Sequence, residues 1–90
     1  MRVNWKRAAI ADVKAFEGWL LSIPEAKPAR TIQRIKDAAR FLGRLGDLGR
    51  PSKTPNAREL SVRDAPYVLV YERQKDRFMI LAVFHMAQDR

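Results

Sequence analysis

Between Gly46 and Asn56 the spacing of apolar residues changes from helical to alternating, and this switch limits what the chain can fold into. Upstream, Val13, Phe16, Trp19, Leu20 and Ile23 recur at helical spacing. They predict a helix over residues 8–22, ended by Pro24. Pro28 suits the first turn of a second helix, where its missing N–H would have no partner anyway. Ile32, Ile35, Ala39, Leu42 and Leu45 form that helix's apolar stripe, and Gly46 and Gly49 mark its end. Residues 47–56, punctuated by Gly49, Pro51 and Pro55, read as a loop. Downstream, residues 58–62 alternate, with Arg58, Leu60 and Val62 on one side. Residues 67–72 and 78–85 are apolar on both sides, as central strands are, with turns at 63–66 and 73–77. A short strand over residues 2–6 opens the chain, with Val3 and Trp5 on one side.

This order predicts an α+β fold in one domain, residues 1–90. An N-terminal strand leads into a two-helix hairpin, then a three-stranded antiparallel meander, because short connections force antiparallel pairing. Both helices should cover one sheet face. Trp5, Trp19, Tyr67 and Tyr71 are assigned to the core. Strands that are apolar on both sides imply a second face that also needs cover, and no third helix exists to supply it. The expectation is a partner on that face, or an apolar groove.

Charge gives the first functional constraint. The net charge is +8, and it is concentrated. From Lys27 to Arg58 there are nine basic residues, opposed only by Asp37 and Asp47. Such a field favours an anionic partner, whether nucleic acid, acidic protein or membrane surface; a merely solvated helix face is the plain alternative. Arg30, Arg34, Arg40 and Arg44 lie opposite the apolar stripe of the second helix, with Phe41 among them. Phe41 is either a loose surface aromatic or an anchor for a partner. With no cysteine and one histidine, the chain has no metal-ligand spacing, and it has no glycine-rich phosphate loop. Neither a metal nor a nucleotide cofactor is expected. No apolar run approaches the ~20 residues of a membrane helix, and the charged N-terminus does not read as a targeting signal. A cytoplasmic protein that does not enter the membrane is expected.

Five pieces in order carry a resemblance over nearly the whole chain. They are Val3-Asn4-Trp5 with Ala8 and Asp12-Val13; the run L-G-D-L-G-R-P from Leu45 to Pro51; Ala57-Arg58-Glu59-Leu60-Ser61-Val62; Pro66-Tyr67-Val68-Leu69-Val70-Tyr71; and Ile80-Leu81-Ala82-Val83-Phe84-His85 with Ala87-Gln88. Together they resemble the RelE/ParE family of type II toxins. The resemblance implies a growth-inhibiting toxin held inactive by a cognate antitoxin whose C-terminal segment wraps it. RelE-type members cut mRNA on the ribosome, whereas ParE-type members inhibit DNA gyrase, and a shared fold does not choose between them.

The residues bear on that choice. Metal-independent RNA cleavage needs a proton acceptor for the 2′-OH, cations for the charged phosphorane and an acid for the leaving oxygen. Arg58 matches the family's phosphate-gripping arginine and His85 its terminal histidine, while Arg50 and Lys53 could add charge. Yet no tyrosine follows His85, and residues 46–56 lack the glutamate or lysine pair of the nucleases. Arg58 could equally pair with a carboxylate, and His85 could make a structural hydrogen bond. The reading is therefore a ParE-like toxin that binds its target, with Arg40, Phe41, Arg44, Arg50 and Lys53 as the candidate target or nucleic-acid surface. The alternatives are a ribosome-dependent endoribonuclease using Arg58 and His85, or a degenerate, non-toxic binding module.

Overall fold

The computed structural model describes residues 1–88. Its elements are β1 (Arg2–Trp5), α1 (Arg7–Leu21), α2 (Pro28–Leu45), β2 (Arg50–Pro51), β3 (Arg58–Ser61), β4 (Tyr67–Arg73) and β5 (Arg77–His85). Pro28 opens α2, as its missing N–H allows. At the other end of α2, the Gly46 N–H still donates to the Leu42 carbonyl at 3.0 Å, and its positive φ of 97° turns the chain away.

All strands join one sheet in the order β1-β5-β4-β3-β2. β3, β4 and β5 form the antiparallel meander. β1 lies parallel to β5, with Val3 beside Phe78 and Trp5 beside Ile80. The sheet is therefore mixed. This placement explains why β5 is apolar on both sides: β1 on one edge and β4 on the other make it a central strand. The segment read as loop contributes β2, two residues paired with Glu59 and Arg58.

Register decides what faces the helices. Arg58 and Leu60 lie opposite Tyr71 and Leu69. These in turn oppose Ile80 and Val83, and Tyr67 opposes His85. Between Ile80 and Ala82 the register slips by one, so Leu81 is an extra residue without its own partner on β4. The bulge lets both Ile80 and Val83 face the same side. Near it, Asp12 of α1 accepts the Val83 N–H at 2.9 Å, tying helix to sheet. On that side Tyr67, Leu69, Tyr71, Phe78, Ile80 and Val83 form one core with Ala9, Ile32, Ile35, Ala38, Ala39 and Leu42 from the helices. Both helices thus cover one face, and both tyrosines are core.

Three expectations about burial need correction. Trp19 is half exposed, because its ring sits at the end of α1 against His85 and not over the sheet. Leu45 is exposed, because the stripe of α2 runs beyond the sheet beneath it. The far face of the sheet is not an open apolar surface. Val68 and Val70 point there, yet they are 1% and 2% exposed. They are small residues flanked by β3 and β5, and Glu59 beside Val70 is itself buried. The surplus apolar surface lies on the helices and at their ends.

β1 is clamped to α2 by close approach at Gly43. A Cβ there would stand 2.8 Å from the Met1 carbonyl oxygen and 2.8 Å from Val3 Cγ2. The Gly43 carbonyl also accepts the Met1 amino group at 2.7 Å. Replacing Gly43 by alanine improves helix propensity but pushes α2 off β1. Gly43→Ala is expected to destabilise the protein by about 1–3 kcal/mol, the usual range for overpacking. Urea unfolding checks this, and an unchanged or raised midpoint would contradict it.

Candidate functional site

Arg58 starts β3 beside the segment that returns from α2. Its Nη1 donates to the Gly49 carbonyl at 3.0 Å, and its Nε lies 3.3 Å from Asp47 Oδ2. Tyr71, opposite Arg58 on β4, donates its hydroxyl hydrogen to Asp47 Oδ1 and accepts the Gly49 N–H at 2.7 Å. Only glycine fits at 49, since a Cβ would stand 2.5 Å from the Tyr71 hydroxyl and 2.6 Å from the Glu59 carbonyl. Arg58, Asp47, Tyr71 and Gly49 thus form a closed lock over the helix-to-strand connection. The Tyr71 ring is fully buried against Phe78. Burial, and then the hydrogen bond to Asp47, push its pKa up to about 12.

His85 lies at the other end of the sheet. Its Nδ1 accepts the Ala87 N–H at 3.1 Å, which in the neutral ring places the proton on Nε2. Its ring meets Tyr67 and Trp19 edge to face, at 5.1 and 5.9 Å between centroids. The Tyr67 hydroxyl beside it is buried without a hydrogen-bond partner among the described residues. Arg58 opposes Tyr71, and His85 opposes Tyr67 four residues back along β4. At strand spacings that separates them by roughly 16 Å. The structure does not bring the two nuclease candidates to one phosphodiester. The last two residues of the tail after His85, Asp89 and Arg90, lie outside the described residues.

The other candidates also divide. Arg44 stacks on the Phe41 ring, with its guanidinium carbon 5.0 Å from the centroid. Arg40 turns the other way and pairs with Asp37 at 3.3 Å. Arg50 lies on the far face, hydrogen-bonded to Ser61 at 3.1 Å and 3.4 Å from Glu59. Lys53 is exposed in the loop after β2. No single surface holds all five.

Two grooves flank α2. The larger, of about 730 Å³, runs between α1, α2 and β1. Val3, Trp5, Val13, Ile32 and Ala39 floor it, and Lys14, Lys36, Arg40 and Glu17 stand around it. It lies on the helix side of the sheet, and not on the far face, where the sequence predicts a partner or an apolar groove. The smaller, of about 420 Å³, lies between α2 and β3 and is lined by Phe41, Leu45, Leu48 and Leu60. Sequence reasoning missed Asp47, the Tyr71 hydroxyl and both groove positions. Asp47 and Tyr71 are 24 residues apart, and only the register of β3 on β4 brings them together. Among the described residues no group of histidine, aspartate and glutamate could hold a metal ion, and no helix is long and apolar enough to cross a membrane.

Comparison with known proteins agrees with this fold. Residues 3–90 match the family described as the ParE toxin of the type II toxin–antitoxin system parDE. A protein of Sinorhizobium fredii named "Putative toxin Y4kP" is 29% identical over 87 residues, covering 97% of this chain and 90% of its own. Among solved structures, the chromosomal ParDE toxin–antitoxin system from P. aeruginosa contains a chain that superposes with a TM-score of 0.80. That chain is 25% identical, with coverage of 94% of this chain and 95% of its own. A copper-bound mutant toxin from Helicobacter pylori shares the fold, with a TM-score of 0.61 at 17% identity and coverage of 94% and 93%.

The lock makes two measurable claims. Tyr71→Phe keeps the ring but strands the Gly49 N–H and takes the hydroxyl donor from Asp47 Oδ1. It is expected to cost about 1–3 kcal/mol, with the loss seen in urea unfolding. The pH dependence has a definite sign. A tyrosine whose folded pKa lies above its unfolded value stabilises the fold fully below about pH 10, and that contribution is lost as pH rises toward 12. Alkaline unfolding should therefore accompany phenolate absorbance between those values, and Tyr71→Phe should weaken the coupling.

Proposed function

The chain belongs to the ParE family of toxins from type II toxin–antitoxin systems, and on that premise we propose that it stops growth by binding a host target, DNA gyrase, with no chemical step of its own. One observation carries this reading: Arg58 and His85 lie at opposite ends of the sheet, each engaged in holding the fold. Cutting RNA without a metal requires base, acid and cation to converge on one phosphate. Arg58 instead fixes the 47–49 segment, and His85 lends Nδ1 to the backbone of the following turn. The basic residues Arg40, Arg44, Arg50 and Lys53 then act by long-range steering toward an anionic assembly, with Phe41 as an apolar anchor.

A cognate antitoxin is the second part of the reading. The P. aeruginosa relative comes from a ParDE system, and the larger groove suits an amphipathic helix. Its apolar floor is bounded by Lys14, Lys36 and Arg40, so the helix should carry acidic residues along its margins. Toxin and antitoxin would meet in the cytoplasm, where gyrase works.

The test is pulse-labelling after tightly controlled induction in bacteria, with DNA and protein synthesis followed separately. DNA synthesis should fall first, and purified protein should inhibit gyrase supercoiling. His85→Ala should leave growth inhibition within about twofold of the parent, because a 1.4 kcal/mol effect is needed for tenfold and no reacting group is removed. An early fall in protein synthesis, abolished by His85→Ala, would establish the endoribonuclease reading instead. Uninterrupted growth would identify a non-toxic binding module.

A further inference from the structure

The hairpin between β4 and β5 gathers charge that neither groove uses. It is closed by the Gln74 N–H, which donates to the Arg77 carbonyl at 2.8 Å, with Lys75 and Asp76 at its tip. β1 runs parallel to β5, so Arg2 stands beside Arg77. Arg2, Arg73, Lys75 and Arg77 therefore meet at one corner of the sheet. Arg73 opposes the core residue Phe78 and leaves β4 on the helix side, whereas Arg77, one residue earlier on β5, points to the far side. The cations thus surround the tip.

Two arginines side by side repel, and Asp76 offsets this. Its carboxylate lies 2.9 Å from Arg2 Nη2 and 3.7 Å from Arg77 Nε. Gln74 Oε1 accepts from the same Arg77 Nε at 3.0 Å, and the Gln74 amide donates to Glu72 at 3.0 Å. One carboxylate aligns two guanidiniums in this way, and both remain open to solvent, with the Arg2 and Arg77 side chains 69% and 39% exposed. Arg73 and Lys75 are exposed and meet no carboxylate among the described residues. The surroundings bear on the kind of partner. A protein interface needs an apolar centre inside its charged rim, and residues 72–77 hold no apolar side chain. Single-stranded nucleic acid needs exposed rings on which bases stack, and the adjacent Phe78 is fully buried. A rigid row of phosphates needs neither.

We infer that the β4–β5 hairpin and the start of β1 bind the phosphate backbone of double-stranded DNA. Arg2 and Arg77, fixed by Asp76, present their remaining N–H groups to neighbouring phosphates. Lys75 and Arg73 add charge at the tip and on its helix side. Contacts of this kind position the protein on the duplex without reading its sequence. None of the four residues lines either groove, so a partner seated in a groove leaves this surface free. The choice of DNA over RNA rests on the gyrase reading: a toxin docked on gyrase would also hold the DNA that gyrase grips.

The test is fluorescence anisotropy of a short labelled DNA duplex titrated with the full chain over a series of salt concentrations. Four phosphate contacts at roughly 0.9 each predict a slope of about −3.6 for log affinity against log salt. Arg73→Glu combined with Lys75→Glu should weaken binding about tenfold or more and reduce that slope by about 1.8. Lys27→Glu combined with Arg30→Glu changes the net charge equally, but at the start of α2, toward the β3–β4 turn that Arg34 reaches. At about 0.1 M salt, where screening acts within ~10 Å, this second pair should bind within about threefold of the parent. The inference is overturned if the two pairs weaken binding alike, which would mark bulk charge alone, or if no binding is seen at low salt. It is equally overturned if an RNA duplex of the same length binds tenfold more tightly, or if poly-glutamate of the same charge competes as well as DNA, which would mark an acidic protein as the partner. Gyrase is absent from this assay, so failure here and failure of the gyrase reading are told apart.

Discussion

The Tyr71 side chain joins two things that otherwise have no reason to stay together. Its ring is part of the packed core, against Phe78, and its hydroxyl reaches the connection leaving α2. There it accepts from Gly49 and donates to Asp47, which in turn meets Arg58. Through this one residue, the position of β2, the direction of Arg58 and the exposure of the groove beneath Leu48 all follow from packing at the centre of the sheet. The surface ion pair alone would do little, since exposed pairs contribute about 0–1 kcal/mol. It is the buried hydroxyl, with a donor and an acceptor both satisfied, that makes the arrangement rigid.

The same lock accounts for why Arg58 is a poor witness to catalysis. An arginine in an R-E-L strand carries the same sequence signal whether it grips phosphate or a carbonyl. What separates the two is the company it keeps, and here that company is Asp47 and the Gly49 carbonyl. His85 shows the parallel case at the far end of β4.

Much of the architecture was legible because periodicity is a local property. Pro28, the α2 stripe and the alternation through Leu60 and Val62 each report on neighbours within a turn or a strand. The tyrosines on one side of β4 were placed in the core by the same logic, and they are there. What could not be read depends on distant partners. Nothing in residues 2–5 announces a parallel pairing with β5. The slip at Leu81 decides which residues of β5 face inward, and it leaves no mark in composition. The half exposure of Trp19 follows from where α1 outruns the sheet, a matter of length and angle and not of hydrophobicity. The candidate surface suffered most: Arg40 and Phe41 are adjacent in sequence, yet a helix turns them about 100° apart, into different grooves.

The pairing of β1 with β5 also governs how the protein can come into being. Arg2 lies beside Arg77, so the sheet is closed by the first and last elements of the fold. Contacts of such long sequence separation form slowly, because the entropy of closing the intervening chain must be met before they add stability. During synthesis the two helices emerge with their apolar faces bare, and the strand that completes their platform emerges last. A nascent chain therefore has both helices and no toxin. The topology itself withholds the folded toxin until β5 has been made.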